Sequence, residues 1–155
     1  MEQIRIDEID SWMSPARSKR SVSYALGAEH LAMHHYVLDP GEGFGFGYHR
    51  HHDQEELFYV LEGTVTFETE DGDVTVGAGE AIRFEPGEWQ LGRNETDDRV
   101  VAIALGAPAD TEDIDVLVEC PDCGDRRPVR IEPTEDRDAL VAICEDCGAE
   151  TVRHS

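Results

Sequence analysis

From Val22 to Leu105, short runs of β-branched and aromatic residues alternate with turn formers, a pattern closer to period two than to 3.6. Candidate strands are Ser21-Leu26, Leu31-Leu38, Gly47-His51, Leu57-Leu61, Thr64-Glu68, Val74-Val76, Ala81-Phe84, Gln90-Arg93 and Val100-Leu105. The breaks between them hold Asp39-Pro40-Gly41, Glu62-Gly63, Asp71-Gly72-Asp73, Gly77-Ala78-Gly79 and Glu85-Pro86-Gly87. These are turn residues because proline presets φ and glycine accepts positive φ without a steric cost. Many short strands at this spacing predict an all-β sandwich or barrel, and no convincing long helix is encoded.

The pattern changes at both ends. Residues 1–21 carry Trp12, Met13 and Pro15 among charges and are expected to form a leading arm or strand. Residues 107–115, with Pro108 and several acids, read as a linker that closes a barrel spanning 22–106. Residues 116–155 contain no Phe, Tyr or Trp. A segment of that size without aromatics cannot build much of a core, so something else must staple it.

Charge narrows the partners. Lys and Arg number 13 against 35 Asp and Glu, a formal charge of -22, and Lys19 is the single lysine. Binding to a phosphate backbone requires clustered positive charge, so nucleic acid is not expected as the main partner. Acid excess on this scale also accompanies disorder, but 39% hydrophobic residues in strand-like runs count against that. It fits a halophilic cell, where molar salt cuts the Debye length to roughly 3 Å and self-repulsion becomes tolerable. No run approaches the roughly 20 apolar residues of a membrane span, and the first residues lack the apolar segment of a signal peptide. The expectation is a soluble cytoplasmic protein without a membrane partner.

The most specific chemistry lies between Gly43 and Gly63, which read G-x5-H-x-H-x4-E-x6-G with His49, His51 and Glu56 inside the frame. On a strand, positions i and i+2 share a face, so both imidazoles project together. A carboxylate at the start of the next strand then completes a 2-His-1-carboxylate set, suited to a divalent transition metal with open coordination positions. If the strand runs regularly back to Gly43, then Gly43, Gly45 and Gly47 share the ligand face and leave volume for a small molecule. A bend or bulge at these glycines would break that parity. From the Glu56 strand, Phe58 and Val60 are expected to point inward as an apolar wall.

This motif resembles the first signature of the cupin family. The second signature is matched by Gly79, Gly87 and Asn94, with the proline one place late at Pro86 and Gln90 where the family carries a histidine. The resemblance covers about residues 22–106. It implies a cupin-like antiparallel β-barrel (double-stranded β-helix or jelly roll), a barrel metal (Fe, Mn, Ni or Zn), a small-molecule ligand and a homodimer. Gln90 ligates through its oxygen, swings away to leave three ligands, or marks a site that has lost its metal. An amide oxygen is a weaker, harder donor than imidazole and disfavours the softer metals most. Gly45, Gly47, Phe58, Val60 and Asn94 are the candidate pocket residues. His34 and His35 lie on one strand and only one can face inward, while His52 has the parity of an outward residue.

Cys120-Pro121-Asp122-Cys123-Gly124 and Cys144-Glu145-Asp146-Cys147-Gly148 form two C-x2-C-G knuckles separated by 20 residues. The spacing is characteristic of a four-thiolate zinc site, with each glycine permitting the left-handed turn that aims amides at sulfur. A rubredoxin-like iron site lacks its aromatic surround here, and redox pairs lack a βαβ context. The segment resembles a zinc ribbon with strands Val129-Ile131 and Leu140-Ile143 and a structural zinc on Cys120, Cys123, Cys144 and Cys147. Arg126, Arg127 and Arg130 are too few for nucleic acid and point to a protein partner or to capping of the barrel. Two functions follow: an enzyme whose barrel metal activates a small substrate, in which cupin resemblance implies oxygenation, isomerisation or decarboxylation, or a non-catalytic sensor read out through the ribbon. No catalytic acid or base is identified beyond the ligands.

Overall fold

The protein was analysed as a computed structural model that describes residues 1–111 and 113–155. A 3-10 turn at Ile6–Glu8 leads into β1 (Ser18–Ser21), α1 (Val22–Leu26) and β2 (Ala32–Leu38). Seven strands follow: β3 (Tyr48–His51), β4 (Glu55–Glu62), β5 (Thr64–Thr69), β6 (Gly72–Gly77), β7 (Ala81–Phe84), β8 (Gln90–Arg93) and β9 (Val100–Ala107). The C-terminal part adds β10 (Ile114–Glu119), β11 (Arg126–Pro133), β12 (Leu140–Cys144) and β13 (Glu150–His154). Every strand pair is antiparallel. The molecule is all-β, as its period-two pattern predicts. Among the described residues no helix is long and apolar enough to cross a membrane.

Two sheets face each other. One has the order β1-β2-β9-β4-β7, and the other runs β13-β12-β11-β10-β3-β8-β5-β6. Alternate residues of both point between them: Tyr36 and Leu38 on β2, Phe58 and Val60 on β4, Val65 and Phe67 on β5, Val100, Ala102 and Ala104 on β9. Four phenylalanine rings fill the middle, with centroid separations of 4.8 Å for Phe44–Phe58, 5.0 Å for Phe58–Phe67 and 5.4 Å for Phe67–Phe84. Burying such a side chain contributes roughly 2–3 kcal/mol, so this cluster supplies a large share of the barrel's stability.

One expected strand is corrected, and one open point of strand parity is decided. Ser21-Leu26, expected as a strand, is a helical turn in α1 closed by Gly27 at φ 67. Its Ser23 hydroxyl accepts from the Met33 amide at 2.9 Å, tying the turn to β2. Alternation of Val22 and Tyr24 mimics a strand, but Tyr24 lies exposed, and the Gly27 cap and the Ser23–Met33 hydrogen bond accompany the helical form. The open point concerns the glycines before His49, where the sequence allows both a regular strand and a bend or bulge. Strand β3 starts at Tyr48, so Gly43 to Gly47 do not share one regular face, and Phe44 turns into the phenylalanine cluster.

The C-terminal part is joined to the barrel sheet edge to edge. The expected linker ends early, because β10 pairs with β3 in the register Ile114↔His51, Val116↔His49 and Leu117↔Tyr48. Outside that junction, Tyr48 and Trp89 stack at 5.1 Å, flanked by the Arg126 guanidinium 4.9 Å from Tyr48 and the Arg50 guanidinium 4.8 Å from Trp89. Arg126 forks onto Glu68 at 2.6 and 2.9 Å, and Arg50 donates to Asp115 at 2.8 Å. Inside, Phe46 packs with Val116 and Val152 against Val118, Val129 and Ala142. The aromatic that the C-terminal sequence lacks is thus lent by the barrel.

Gly47 makes this approach possible, since a Cβ there would lie 2.4 Å from the Leu117 carbonyl oxygen, whereas one on Gly45 would lie 3.8 Å from its nearest neighbour. Gly47→Ala is expected to cost about 2 kcal/mol more than Gly45→Ala through overpacking against backbone. Paired denaturant midpoints check this, and equal losses would show that the β3–β10 contact is not tight.

Candidate metal centre

The ligand triad is split between the two sheets. His49 and His51 project from β3 on the eight-stranded sheet, and Glu56 projects from β4 on the facing one. Their donor atoms lie within 4.8 Å of one another. Glu56 Oε2 stands 3.3 Å from His51 Nε2 and 3.8 Å from His49 Nε2. His49 Nδ1 lies 3.0 Å from the Gly47 carbonyl oxygen. A carbonyl only accepts, so the proton sits on Nδ1 and the Nε2 lone pair faces the centre.

Gln90 sits opposite His49 in the β3–β8 register. Its Nε2 donates to Glu56 Oε2 at 2.5 Å, and its Oε1 is buried with no hydrogen-bond partner. In this arrangement the amide orients the carboxylate while its oxygen is held in reserve at the edge of the triad. Burial by itself raises the Glu56 carboxyl, but with both imidazoles protonated and no metal between them, hydrogen bonds and charge from His49 and His51 outweigh it and bring it down to about 2. A carboxylate held ionised with two imidazole nitrogens aimed at it is a donor set that fits a divalent transition metal.

A cavity of about 220 Å³ opens onto the triad, lined by Lys19, Tyr36, Phe44, Gly45, Phe46 and Phe58 from the barrel and by Ile114, Val116 and Ile131 from β10 and β11. A second cavity of about 210 Å³ shares Lys19, Tyr36, His51 and Glu56 and adds His34, Gln54 and Thr111. Among the candidate pocket residues, Gly45 and Phe58 line the first cavity. Gly47 packs against β10, Val60 lies within the core, and the Asn94 side chain donates to the Leu38 and Asp98 carbonyl oxygens. His34 takes the cavity side of β2, and His52 bonds Asp115 at 2.8 Å outside.

Sequence reasoning missed Lys19, Tyr36 and the three isoleucine and valine positions of the C-terminal part. Only one signal was present, that Lys19 is the chain's single lysine. The cross-strand pairing Lys19↔Tyr36 that sets them side by side is tertiary information.

The four cysteines gather at the far end. Their sulfurs lie within 4.8 Å of one another, with Cys120 and Cys147 at 3.5 Å. That is beyond a disulfide bond of about 2.05 Å and near the roughly 3.8 Å edge of a tetrahedron with 2.3 Å zinc–sulfur bonds. The two knuckles repeat one geometry: the Gly124 amide donates to the Cys120 carbonyl and the Gly148 amide to the Cys144 carbonyl, each at 2.9 Å. Gly124 and Gly148 have φ of 82 and 77.

Residues 34–106 match the family described as a cupin domain. Over that stretch the chain is similar to the cupin family. No curated protein matches the sequence. Among solved structures, the cupin fold is shared with a sugar phosphate isomerase from Silicibacter pomeroyi at 20% identity, covering 97% of this chain and 92% of that one with a TM-score of 0.63. The polyketide cyclase RemF from Streptomyces resistomycificus is similar at 20% identity over 79% of this chain and 89% of that one, TM-score 0.65. The oxalate decarboxylase of Bacillus subtilis, whose structure concerns its Mn(II) centres, is similar at 16% identity over 71% of this chain and 30% of that one, TM-score 0.59. These likenesses establish the fold.

His34 in the second cavity is pushed from 6.5 down to about 4 by burial and then by the Lys19 charge, with Glu56 opposing. A folded-state value below the unfolded one means the unfolded chain takes up the proton first, so stability is lost as pH falls from about 6.5 through about 4. Allowing for partial exposure, the loss between pH 7 and 5 should be on the order of 1 kcal/mol. Urea midpoints at the two pH values should show it, with the difference shrinking in His34→Gln.

Proposed function

We propose that this cupin domain holds a divalent transition metal on His49, His51 and Glu56 and uses it to act on a small molecule in the adjoining cavity. The observation that carries the reading is the convergence of the His49 and His51 ring nitrogens and the Glu56 carboxylate at the wall of a largely apolar cavity. Bound there, the metal would supply Lewis-acid polarisation or oxygen activation, as isomerases, decarboxylases and oxygenases require. The chain's own groups do the rest. Gly47 fixes the His49 tautomer, Gln90 holds one Glu56 oxygen, and Phe44, Phe58, Val116 and Ile131 exclude water. Gln90 in place of a third imidazole favours Fe(II) or Mn(II) over softer ions.

The C-terminal part we read as a zinc ribbon with a structural ion on Cys120, Cys123, Cys144 and Cys147. Four thiolates leave no open position, and binding worth on the order of 10 kcal/mol would substitute for a core this small. A second reading, a ligand sensor, draws on Ile114, Val116 and Ile131, because occupancy of the cavity would press directly on the ribbon strands.

Elemental analysis of protein purified without added metal is expected to give two ions per chain, one lost in His49→Ala and the other in Cys147→Ser. A single ion insensitive to His49→Ala would sink the barrel site. Metal-dependent turnover or oxygen uptake across a metabolite panel separates enzyme from sensor.

The charge of -22 we attribute to life at high salt in the cytoplasm, and the apolar strip of Leu31, Leu57 and Leu105 on the outer face of the five-stranded sheet to a homodimer contact. Raising KCl from about 0.1 M to molar levels is expected to raise the melting temperature by several degrees as self-repulsion is screened. Light scattering in the same buffers should give twice the chain mass. A melting temperature that falls with salt would remove the halophilic reading.

A further inference from the structure

Nine arginines of this acidic chain are engaged with carboxylates: Arg5, Arg17, Arg50, Arg83, Arg99, Arg126, Arg127, Arg130 and Arg153. Lys19 is different. Among the described residues no carboxylate lies within ion-pair distance of its ammonium, and no acceptor takes any of its three N–H donors. The ammonium stands 5.8 Å from the Tyr36 ring and 6.0 Å from the Trp12 ring, the outer limit of a cation–π contact. Those faces hold the side chain in place without satisfying its hydrogens. A part-buried cation without a partner is costly unless an anion joins it.

Its position says where that anion would lie. Lys19 lines both cavities, and the walls they share are Lys19, Tyr36, His51 and Glu56. Lys19 and Tyr36 are cross-strand partners on β1 and β2 and so present their side chains to the same face. Among the described residues the Tyr36 hydroxyl makes no hydrogen bond either. Glu56 acts on Lys19 through its charge, but it is not within ion-pair distance of the ammonium, and its Oε2 is turned to Gln90, His51 and His49. With a dication on two neutral imidazoles and one carboxylate, and Lys19 protonated, the cavity carries a net charge of about +2 by formal counting of these groups. An electropositive hollow inside so acidic a chain selects for a negative ligand.

We propose that Lys19 and the Tyr36 hydroxyl form an oxyanion subsite beside the metal ligands, so that the barrel takes a small organic anion. One oxyanionic group of that molecule meets the Lys19 ammonium while another oxygen faces His49, His51 and Glu56. This rests on the metal-site reading above and adds the charge class of the ligand. A volume near 220 Å³ suits a small metabolite. Phe44, Phe58 and Ile131 leave room for a short apolar portion. Carboxylate and phosphate share the required chemistry, and the experiment separates them.

Because Lys19 is the chain's only lysine, ¹³C-lysine labelling gives one side-chain NMR signal. Zinc-loaded full-length protein, diamagnetic at both metal sites, is titrated with malonate, inorganic phosphate and the neutral malonamide. The expected result is a saturable shift of the Lys19 signal with malonate and none with malonamide. A shift with phosphate alone keeps the subsite and assigns it a phosphate ligand. By calorimetry, Lys19→Met should weaken anion binding by about tenfold or more, the worth of a charge-assisted hydrogen bond, with Lys19→Arg retaining most of it. Metal content should stay unchanged in both variants.

No shift with either anion while the barrel metal is present overturns the subsite and leaves the metal reading standing. A saturable shift in protein that binds no barrel metal supports the subsite and removes the metal reading. If Lys19→Met does not fold, the wild-type titration decides alone.

Discussion

Strand β3 is only four residues long, and both of its edges are occupied, by β8 on one side and β10 on the other. The rest of the molecule depends on its alternation. His49 and His51 face inward to Glu56, and Tyr48 and Arg50 face outward into the stacked ladder that ties the C-terminal strands to the barrel. A slip of one residue would exchange the two faces and abolish both the ligand set and the junction together. The register is pinned by the close approach of Gly47 to Leu117 and by the pairing of His49 with Gln90. One short strand thereby couples the candidate metal chemistry to the docking of the cysteine module.

The centre is arranged around a carboxylate that burial alone would neutralise. Hydrogen bonds and charge from protonated His49 and His51 favour the ionised form of Glu56, and the Gln90 amide donates to it while its own oxygen has no partner among the described residues. Buried polar atoms are usually satisfied, so the unpartnered Gln90 oxygen beside two imidazoles and a carboxylate fits the metal site proposed above. The cysteine module solves a different problem of burial. Forty residues without an aromatic take Phe46 from the barrel for their core, and in return β10 and β11 give Ile114, Val116 and Ile131 to the cavity wall. Neither part has a complete inner surface without the other.

Much of this was legible along the chain. Turn residues at Gly63, Asp71-Gly72 and Pro86-Gly87 bracket strands that formed close to where alternation places them, because local sterics decide those turns. The His49, His51 and Glu56 set and the two cysteine knuckles were legible for the same reason, as short-range spacing on regular backbone. One local signal misled, and another left two readings open. Val22 and Tyr24 alternate like a strand but fold into a helical turn held by Ser23 and Met33, and the glycines before His49 break the parity that a regular strand would keep.

By itself, then, the sequence determined the all-β class, the ligand spacing and the clustering of cysteines, since each follows from backbone period and turn chemistry over a few residues. Only tertiary structure decided that Gln90 faces Glu56 through its nitrogen, that Phe46 serves the other core, and that Lys19 stands beside Tyr36 and Glu56 without an ion-pair partner among the described residues. Those arrangements join strands distant in the chain. Their energies come from burial, register and the low dielectric between two packed sheets, and none of these is a property of a local stretch of residues.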